Sequence, residues 1–529
     1  MRLNTCRSLS GIVLLIALAM EAIFQALAAE TNCPLQTTIE SSAFAGIYDS
    51  ARAVSVFLKA KNNGQHGLDS VFNWELRRLP SMETLRQGRV AITAPPGQTV
   101  QTELPFPKNA DYGLYEFTAT AVAGKERITL EPARAAIMRE PPKDREMDNL
   151  GFNIHVVNEE PAMLLRRLGV RWARIDFNWN FTTSRDGIPW DYFDKQVKTG
   201  EKYGLKLLPN FCYVPKWARK ADGLFDPKDH ADYISKLLTR YKGKFPAFCV
   251  WNEPDDTFNK VWPDDLKAIR EAVEAADPHC KITGLAQAAN PGNPGGYFKL
   301  LQPPYSIGTY LDAYDWHNYP APRNRRPEAS SKVDSVEDLE TTVRQIRPLI
   351  AGKEVWLSEH GYTTCDPKYD DAAIGPFAVT ERQQGDYLVR QLLLEYGYGI
   401  DRVFIYQLGA DGTAGDPESQ WGITRSRANG LSAKVAYVQV GNMVQELAGA
   451  VPIEVAKPLP DFRVARFRRG PTNVVAVWKI VGTGQLTFHI SDGYLSDAFG
   501  NRTPENGTVR VDVSESPVFL VGKTVDDQK

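Results

Sequence analysis

Val250-Trp251-Asn252-Glu253-Pro254 follows the apolar residues Phe248 and Cys249. An apolar run that stops on an amide, a carboxylate and a proline reads as a buried strand delivering an acid to the mouth of a parallel barrel. Downstream, Val355-Trp356-Leu357-Ser358-Glu359-His360-Gly361 repeats the pattern of apolar strand, glutamate and glycine. The two glutamates lie 106 positions apart. In an eightfold β/α repeat of roughly 250 residues that gap is about three units. Strands three steps apart around such a ring face each other across its mouth.

The chain on either side keeps the same rhythm. Strand-like runs begin near Leu150, Arg171, Lys206, Phe248, Lys281, Ala313, Val355 and Asp401, with helical stretches between them. Gly169 and Gly204 read as helix stops, and Asp226-Pro227 as a cap with proline in the first turn. Ser335 and Thr380 read as openings of capping boxes, and Ser432 as the cap of a last helix. Eight alternations predict an α/β chain with a (β/α)8 TIM barrel over residues 143–447.

The flanks read differently. Residues 30–142 show short alternating strands broken by Asn63-Gly64, Pro95-Pro96-Gly97 and Ala123-Gly124, which predicts an N-terminal immunoglobulin-like β-sandwich. Pro141-Pro142-Lys143-Asp144 is the linker into the barrel. Residues 448–529 return to short strands and predict a C-terminal small β-sandwich.

Residues 1–29 read as a signal peptide: Arg2 and Arg7, the apolar core Gly11 to Met20, then Ala26-Leu27-Ala28 as cleavage site. The expectation is a secreted or periplasmic protein with no membrane insertion once the signal is removed, since Glu21 interrupts a core too short to span. A net charge of −2 over 529 residues gives no pull toward nucleic acid or anionic membrane. Six cysteines become five without Cys6, an odd count at irregular spacing that argues against a disulfide framework. Cys212 and Cys249 sit in apolar runs and read as buried thiols. No Cys/His cluster has metal-ligand spacing, so no metal and no cofactor are expected.

In such barrels the chemistry sits at the carboxyl ends of the strands. Strand two offers Arg174 and Asp176, strand four Asn252 and Glu253, strand six His317 and Tyr319, strand seven Glu359, and strand eight Tyr406 and Gln407. Two carboxylates facing across a cleft are the machinery for cleaving a glycosidic bond.

Here the chain resembles a known group. Trp251-Asn252-Glu253-Pro254 is similar to the acid/base motif of clan A retaining glycoside hydrolases, His317-Asn318-Tyr319 to their strand six, and Ser358-Glu359-His360-Gly361 to their nucleophile strand. Gly204 to Pro209 and Pro215-x-Trp217 resemble glycoside hydrolase family 39 and its relatives most. The resemblance implies a carbohydrate substrate. It implies Glu253 as acid/base, Glu359 as nucleophile, and Asn252 on the sugar 2-hydroxyl. It also implies Arg174 and Tyr319 on the nucleophile, and His317 orienting the acid or a sugar hydroxyl.

Each residue also has a plainer reading. A glutamate is usually a solvated surface charge, but Glu253 and Glu359 each terminate an apolar strand on the same barrel face. Arg174 also reads as a structural partner of Asp176, and His317 as a satisfied core histidine. Trp179, Tyr213, Trp217 and Trp421 read equally as sugar platforms or loop packing. The loop Arg323-Asn324-Arg325-Arg326 reads as solvated, or as a reader of anionic sugars. Where such barrels often carry a histidine after strand three, this chain has Asn210 or Tyr213, and strand eight ends in Tyr406-Gln407 rather than tryptophan. These departures concern sugar contacts more than the carboxylate chemistry. The expectation is a retaining hydrolase of a β-linked polysaccharide or oligosaccharide, with an exopolysaccharide among the candidates. The alternatives are a non-catalytic carbohydrate-binding protein on the same fold and a transglycosylase using the same residues.

Overall fold

Strands of this chain carry inward-facing residues two positions apart, so one face of each strand can run from floor to mouth of a barrel. Eight parallel strands close in chain order in the computed structural model: Leu150–His155, Trp172–Asp176, Lys206–Phe211, Ala247–Val250, Lys281–Gln287, Ala313–His317, Glu354–His360 and Arg402–Ile405. The structure describes residues 34–123, 126–254, 262–287, 298–320, 326–328, 339–364, 378–410 and 419–527. The signal-like segment, the Ser335 box, residues 323–325 of the basic loop and three of the six cysteines lie outside the described residues.

The interior is graded. Trp172, Leu208, Ala247, Cys249, Ala313, Trp356 and Phe404 form an apolar floor. Gly151 stands where a Cβ would come 2.3 Å from the Phe404 ring, so the floor closes only around a glycine. Above it, Asp315 accepts hydrogen bonds from Thr283 (2.9 Å) and Ser358 (2.7 Å), a buried polar layer. Arg174 stands two residues above Trp172, and His317 two above Asp315, so both arrive at the mouth.

Helices pack outside the strands. Gly169 and Gly204 end two of them in the left-handed conformation (φ 80° and 61°). Asp226 accepts from the Lys228 amide, and Thr380 and Gln383 form the reciprocal box. Ser432 does not cap the last helix: Val435–Leu447 starts at Lys434, and the Ser432 hydroxyl donates to the Asn429 carbonyl instead. The Arg425 amide donates to the Ser432 carbonyl (2.8 Å) and the Lys434 amide to the Ile423 carbonyl (3.0 Å), which keeps this run extended until the helix begins after Lys434.

The N-terminal part is two packed sheets, one of three strands and one of six, around Trp74, Phe117 and their neighbours. The C-terminal part is a seven-stranded sheet. Its long strand Gly484–Ser496 is irregular between Ile490 and Gly493 and pairs with Thr524–Asp527 before that point and Val518–Gly522 after it. The sheet thereby wraps its own core of Phe462, Val477, Phe488 and Leu520.

Polar ties bind the three parts. Arg134 of the N-terminal part pairs with Glu381 of the barrel at 2.9 Å. Asn501 of the C-terminal sheet accepts from the Tyr112 amide (2.9 Å) and donates to the Tyr112 carbonyl (3.0 Å). Glu328, in the segment that leaves barrel strand six, takes Arg390 Nε at 2.6 Å and Trp478 Nε1 of the C-terminal sheet at 2.7 Å.

Candidate active site

Non-glycine residues with positive φ gather at the carboxyl ends of the barrel strands: His155 (54°), Tyr213 (64°), Trp251 (76°), Glu253 (41°) and Ala286 (51°). Left-handed backbone costs an ordinary residue about 1–2 kcal/mol. Such strain clusters where side chains must be aimed. Glu253 is held in this conformation by its amide, which donates to the Ala286 carbonyl at 2.8 Å. Trp251 is held by its indole Nε1, which donates to buried Asp265 at 2.9 Å. Asp265 in turn contacts His230 Nδ1 at 3.1 Å, and His230 stacks on Trp179 (4.7 Å, 16°).

These bends turn side chains into a cavity of about 240 Å³ at the barrel mouth. Glu253, Glu359, Asn252, Arg174, Tyr319 and Trp421 all line it. An oxygen of Glu253, an oxygen of Glu359 and a nitrogen of His317 lie within 4.8 Å of one another.

The two carboxylates differ in setting. The Glu359 side chain is 10% exposed, and that of Glu253 is 42% exposed. Glu359 Oε1 accepts from Arg174 Nη1 at 2.5 Å, and Glu359 Oε2 from the Tyr319 hydroxyl at 2.9 Å. His317 Nδ1 is 2.7 Å from Glu253 Oε1 and 3.3 Å from Glu359 Oε2. His317 Nε2 is buried with no hydrogen-bond partner among the described residues, which puts the ring proton on Nδ1, donating to Glu253.

Arg174 is the hub. It donates to Asn153 Oδ1 (2.8 Å) and Asn252 Oδ1 (2.6 Å) as well as to Glu359. Burial opposes its charge, but Cys249, Glu359 and Asp315 outweigh burial and raise its pKa well above the usual guanidinium range. Burial, reinforced by the Glu359 charge, likewise raises the Tyr319 phenol, so it stays a donor. Asn252 Nδ2 donates to the Tyr213 hydroxyl at 3.0 Å.

The structure pairs Arg174 with Glu359 rather than Asp176. Asp176 belongs to His155, whose Nδ1 is 2.9 Å away. His155, Asn153 and Asp265 were not singled out from the sequence. Asn153 sits in an apolar strand facing inward, a signal of the same kind as Arg174. Asp265 is the first-turn acid of a helix, and nothing local marks it as the partner of Trp251. Trp421 touches Tyr319 (5.2 Å) and Tyr406 (6.1 Å) edge-on at the cavity wall. Trp217 does not line the cavity: its Nε1 donates to Thr182 and its ring packs against Trp179. Trp179 is fully buried and serves packing.

Glu253, His317 and Glu359 have the donor types and spacing of a cation site. Both oxygens of Glu359 already accept protein donors, one of them the Arg174 guanidinium.

No protein-family model matches the chain, and no curated protein does. Among solved structures, a family 39 glycoside hydrolase from the gut symbiont Bacteroides cellulosilyticus WH2 aligns over 92% of this chain and 100% of that chain, with a TM-score of 0.69 and 17% identity. A GH30 endoxylanase from Clostridium papyrosolvens C71 aligns over 72% of this chain and 97% of that chain, with a TM-score of 0.47 and 12% identity. The first likeness is one of fold: the closed barrel with its flanking β-domains follows the architecture of that solved structure.

Proposed function

We propose that the protein is a retaining glycoside hydrolase acting on a β-linked polysaccharide or oligosaccharide. The observation that carries this reading is the approach of Glu253 and Glu359 within 4.8 Å at the barrel mouth. Retaining enzymes hold their carboxyls about 5–5.5 Å apart, whereas inverting enzymes leave about 6.5–9.5 Å for a water.

In this mechanism Glu253 gives its proton to the glycosidic oxygen while a Glu359 oxygen attacks the anomeric carbon. The carbon–oxygen bond to the leaving group breaks, and a glycosyl ester on Glu359 forms. Glu253, now a carboxylate, takes a proton from water as that water attacks the same carbon. Glu359 leaves with its electron pair, and configuration is retained. Arg174 and Tyr319 hold the nucleophile, His317 donates to Glu253, and Asn252 presents an amide already fixed by Arg174 and Tyr213 to the sugar 2-hydroxyl. The signal-like residues 1–29 support export to the periplasm or beyond.

The test is hydrolysis of an aryl glycoside and polysaccharide panel, with the first-formed anomer followed by NMR. We expect retention, loss of turnover in Glu253→Gln and Glu359→Gln, and attachment of a 2-deoxy-2-fluoroglycosyl group to Glu359. An inverted first product ends the retaining mechanism. A wild type that binds one glycan and hydrolyses none points to a binding protein. Product elongation in the presence of acceptor sugar points to a transglycosylase.

A further inference from the structure

The cavity has a wall the two-carboxylate chemistry does not use. Asp176 and Asn210 are register partners on neighbouring strands two and three. Strand three lies across the ring from strand seven, which carries Glu359. Both residues line the cavity. Asn210 is 3% exposed, and its Oδ1 is buried with no hydrogen-bond partner among the described residues. A buried acceptor left empty costs about 1–3 kcal/mol, so a donor is called for at that spot. Asp176 contributes a second acceptor: its side chain is 29% exposed, and its Oδ2 is oriented by His155. His155 reaches it through a register shift between Asn153 and His155.

We propose that Asp176 and Asn210 form the specificity-determining wall of this cavity, and that it takes an uncharged sugar ring presenting neighbouring free hydroxyls. The proposal rests on the glycoside hydrolase reading and adds the substrate class. The free Asp176 oxygen and the neighbouring Asn210 amide match two adjacent hydroxyls. A ring carrying a carboxylate at that position brings a like charge to Asp176. His155 acts as a positioning residue: it holds one oxygen of Asp176 and leaves the other for the ligand.

The test uses full-length wild type, Asp176→Asn, Asp176→Ala and Asn210→Ala, each also in the Glu253→Gln background for binding alone. The probes are methyl β-glucoside, methyl β-galactoside, methyl β-xyloside and methyl β-glucuronide, with 3-deoxy and 4-deoxy forms of whichever neutral sugar binds best. We expect a neutral glycoside to bind and the glucuronide not to. Asp176→Ala and Asn210→Ala each weaken the best neutral ligand roughly 10- to 100-fold, the scale of a lost hydrogen bond to a charged or buried acceptor. Against one deoxy analogue the same variants lose nothing, because the missing hydroxyl is the one they read. Equal losses against every analogue reduce the wall to scaffold and overturn the proposal, as does preferential binding of the glucuronide. Asp176→Asn separates charge from shape, since it should let the glucuronide in without disturbing the melting temperature. If this binding pattern holds while wild type cleaves none of the matching aryl glycosides, the hydrolase reading falls and the wall stands.

Discussion

Arg174 Nη1 lies 2.5 Å from Glu359 Oε1, and both side chains are at most 10% exposed. The same guanidinium holds Asn252, the neighbour of Glu253, at 2.6 Å. One buried cation on strand two therefore sets the positions of groups on strands four and seven.

Replacing Arg174 with Met should remove both restraints and leave a buried carboxylate without its partner. Breaking a buried pair costs about 3–5 kcal/mol. Thermal melting should fall accordingly, and kcat should drop at least a hundredfold. Arg174→Lys should recover much of the melting temperature and little of kcat, because a point charge cannot serve Asn153, Asn252 and Glu359 together. Full activity in Arg174→Lys would remove the hub role.

Tyr319→Phe deletes one hydroxyl, which donates to Glu359 at 2.9 Å. A hydrogen bond to a charged group is worth about 1.5–3 kcal/mol. We expect kcat to fall roughly 10- to 100-fold with a small change in KM, measured on the best aryl glycoside. A change confined to KM would assign Tyr319 to sugar binding instead.

Asp265 never meets the cavity, yet it fixes the indole of Trp251 next to the left-handed turn at Glu253. Asp265→Ala should lower kcat by an order of magnitude or more and leave KM nearly unchanged. Trp251→Phe should reproduce the kcat loss, and the double variant should show no further loss, since both act on one turn. Independent, additive losses would separate the two.

Lys434 is buried, and burial pushes its pKa down to about 8, with Glu381 opposing and Arg134 and Arg425 assisting. In the unfolded chain the group titrates near 10.4. Between those values the unfolded state binds more protons, so stability from this group rises as pH climbs from about 8 to about 10.4. Below pH 8 the penalty is complete, about 3 kcal/mol. Lys434→Met should therefore gain on wild type at pH 7 relative to pH 10, by chemical denaturation at both values. A pH-independent difference would show that Lys434 titrates normally.

The barrel was legible because its strands and helices obey two plain periods, and because each inward face runs from apolar to polar. Trp172, Arg174 and Asp176 show this within five residues. The carboxylate strands were legible for the same reason. Partnerships were not. Whether Arg174 takes Asp176 or Glu359 depends on which side chains converge across a closed ring, and one strand's sequence does not state it. His155 was missed because a register shift reorients it, and a shift of one position changes which face a side chain occupies. Trp217 has the composition of a sugar platform, but the hydroxyl of Thr182 and the ring of Trp179 claim it first.

The clasp of Glu328 with Arg390 and Trp478 bears on how this molecule can be re-engineered. Both members of its ion pair have completely buried side chains. Pruning the last eighty residues, or grafting this barrel onto a foreign tail, would strip away the indole and leave Arg390 and Glu328 facing solvent beside the exit of strand six. The tail is thus an integral wall of the unit rather than a detachable accessory, and a chimera that replaces it must supply a partner for the Glu328–Arg390 pair.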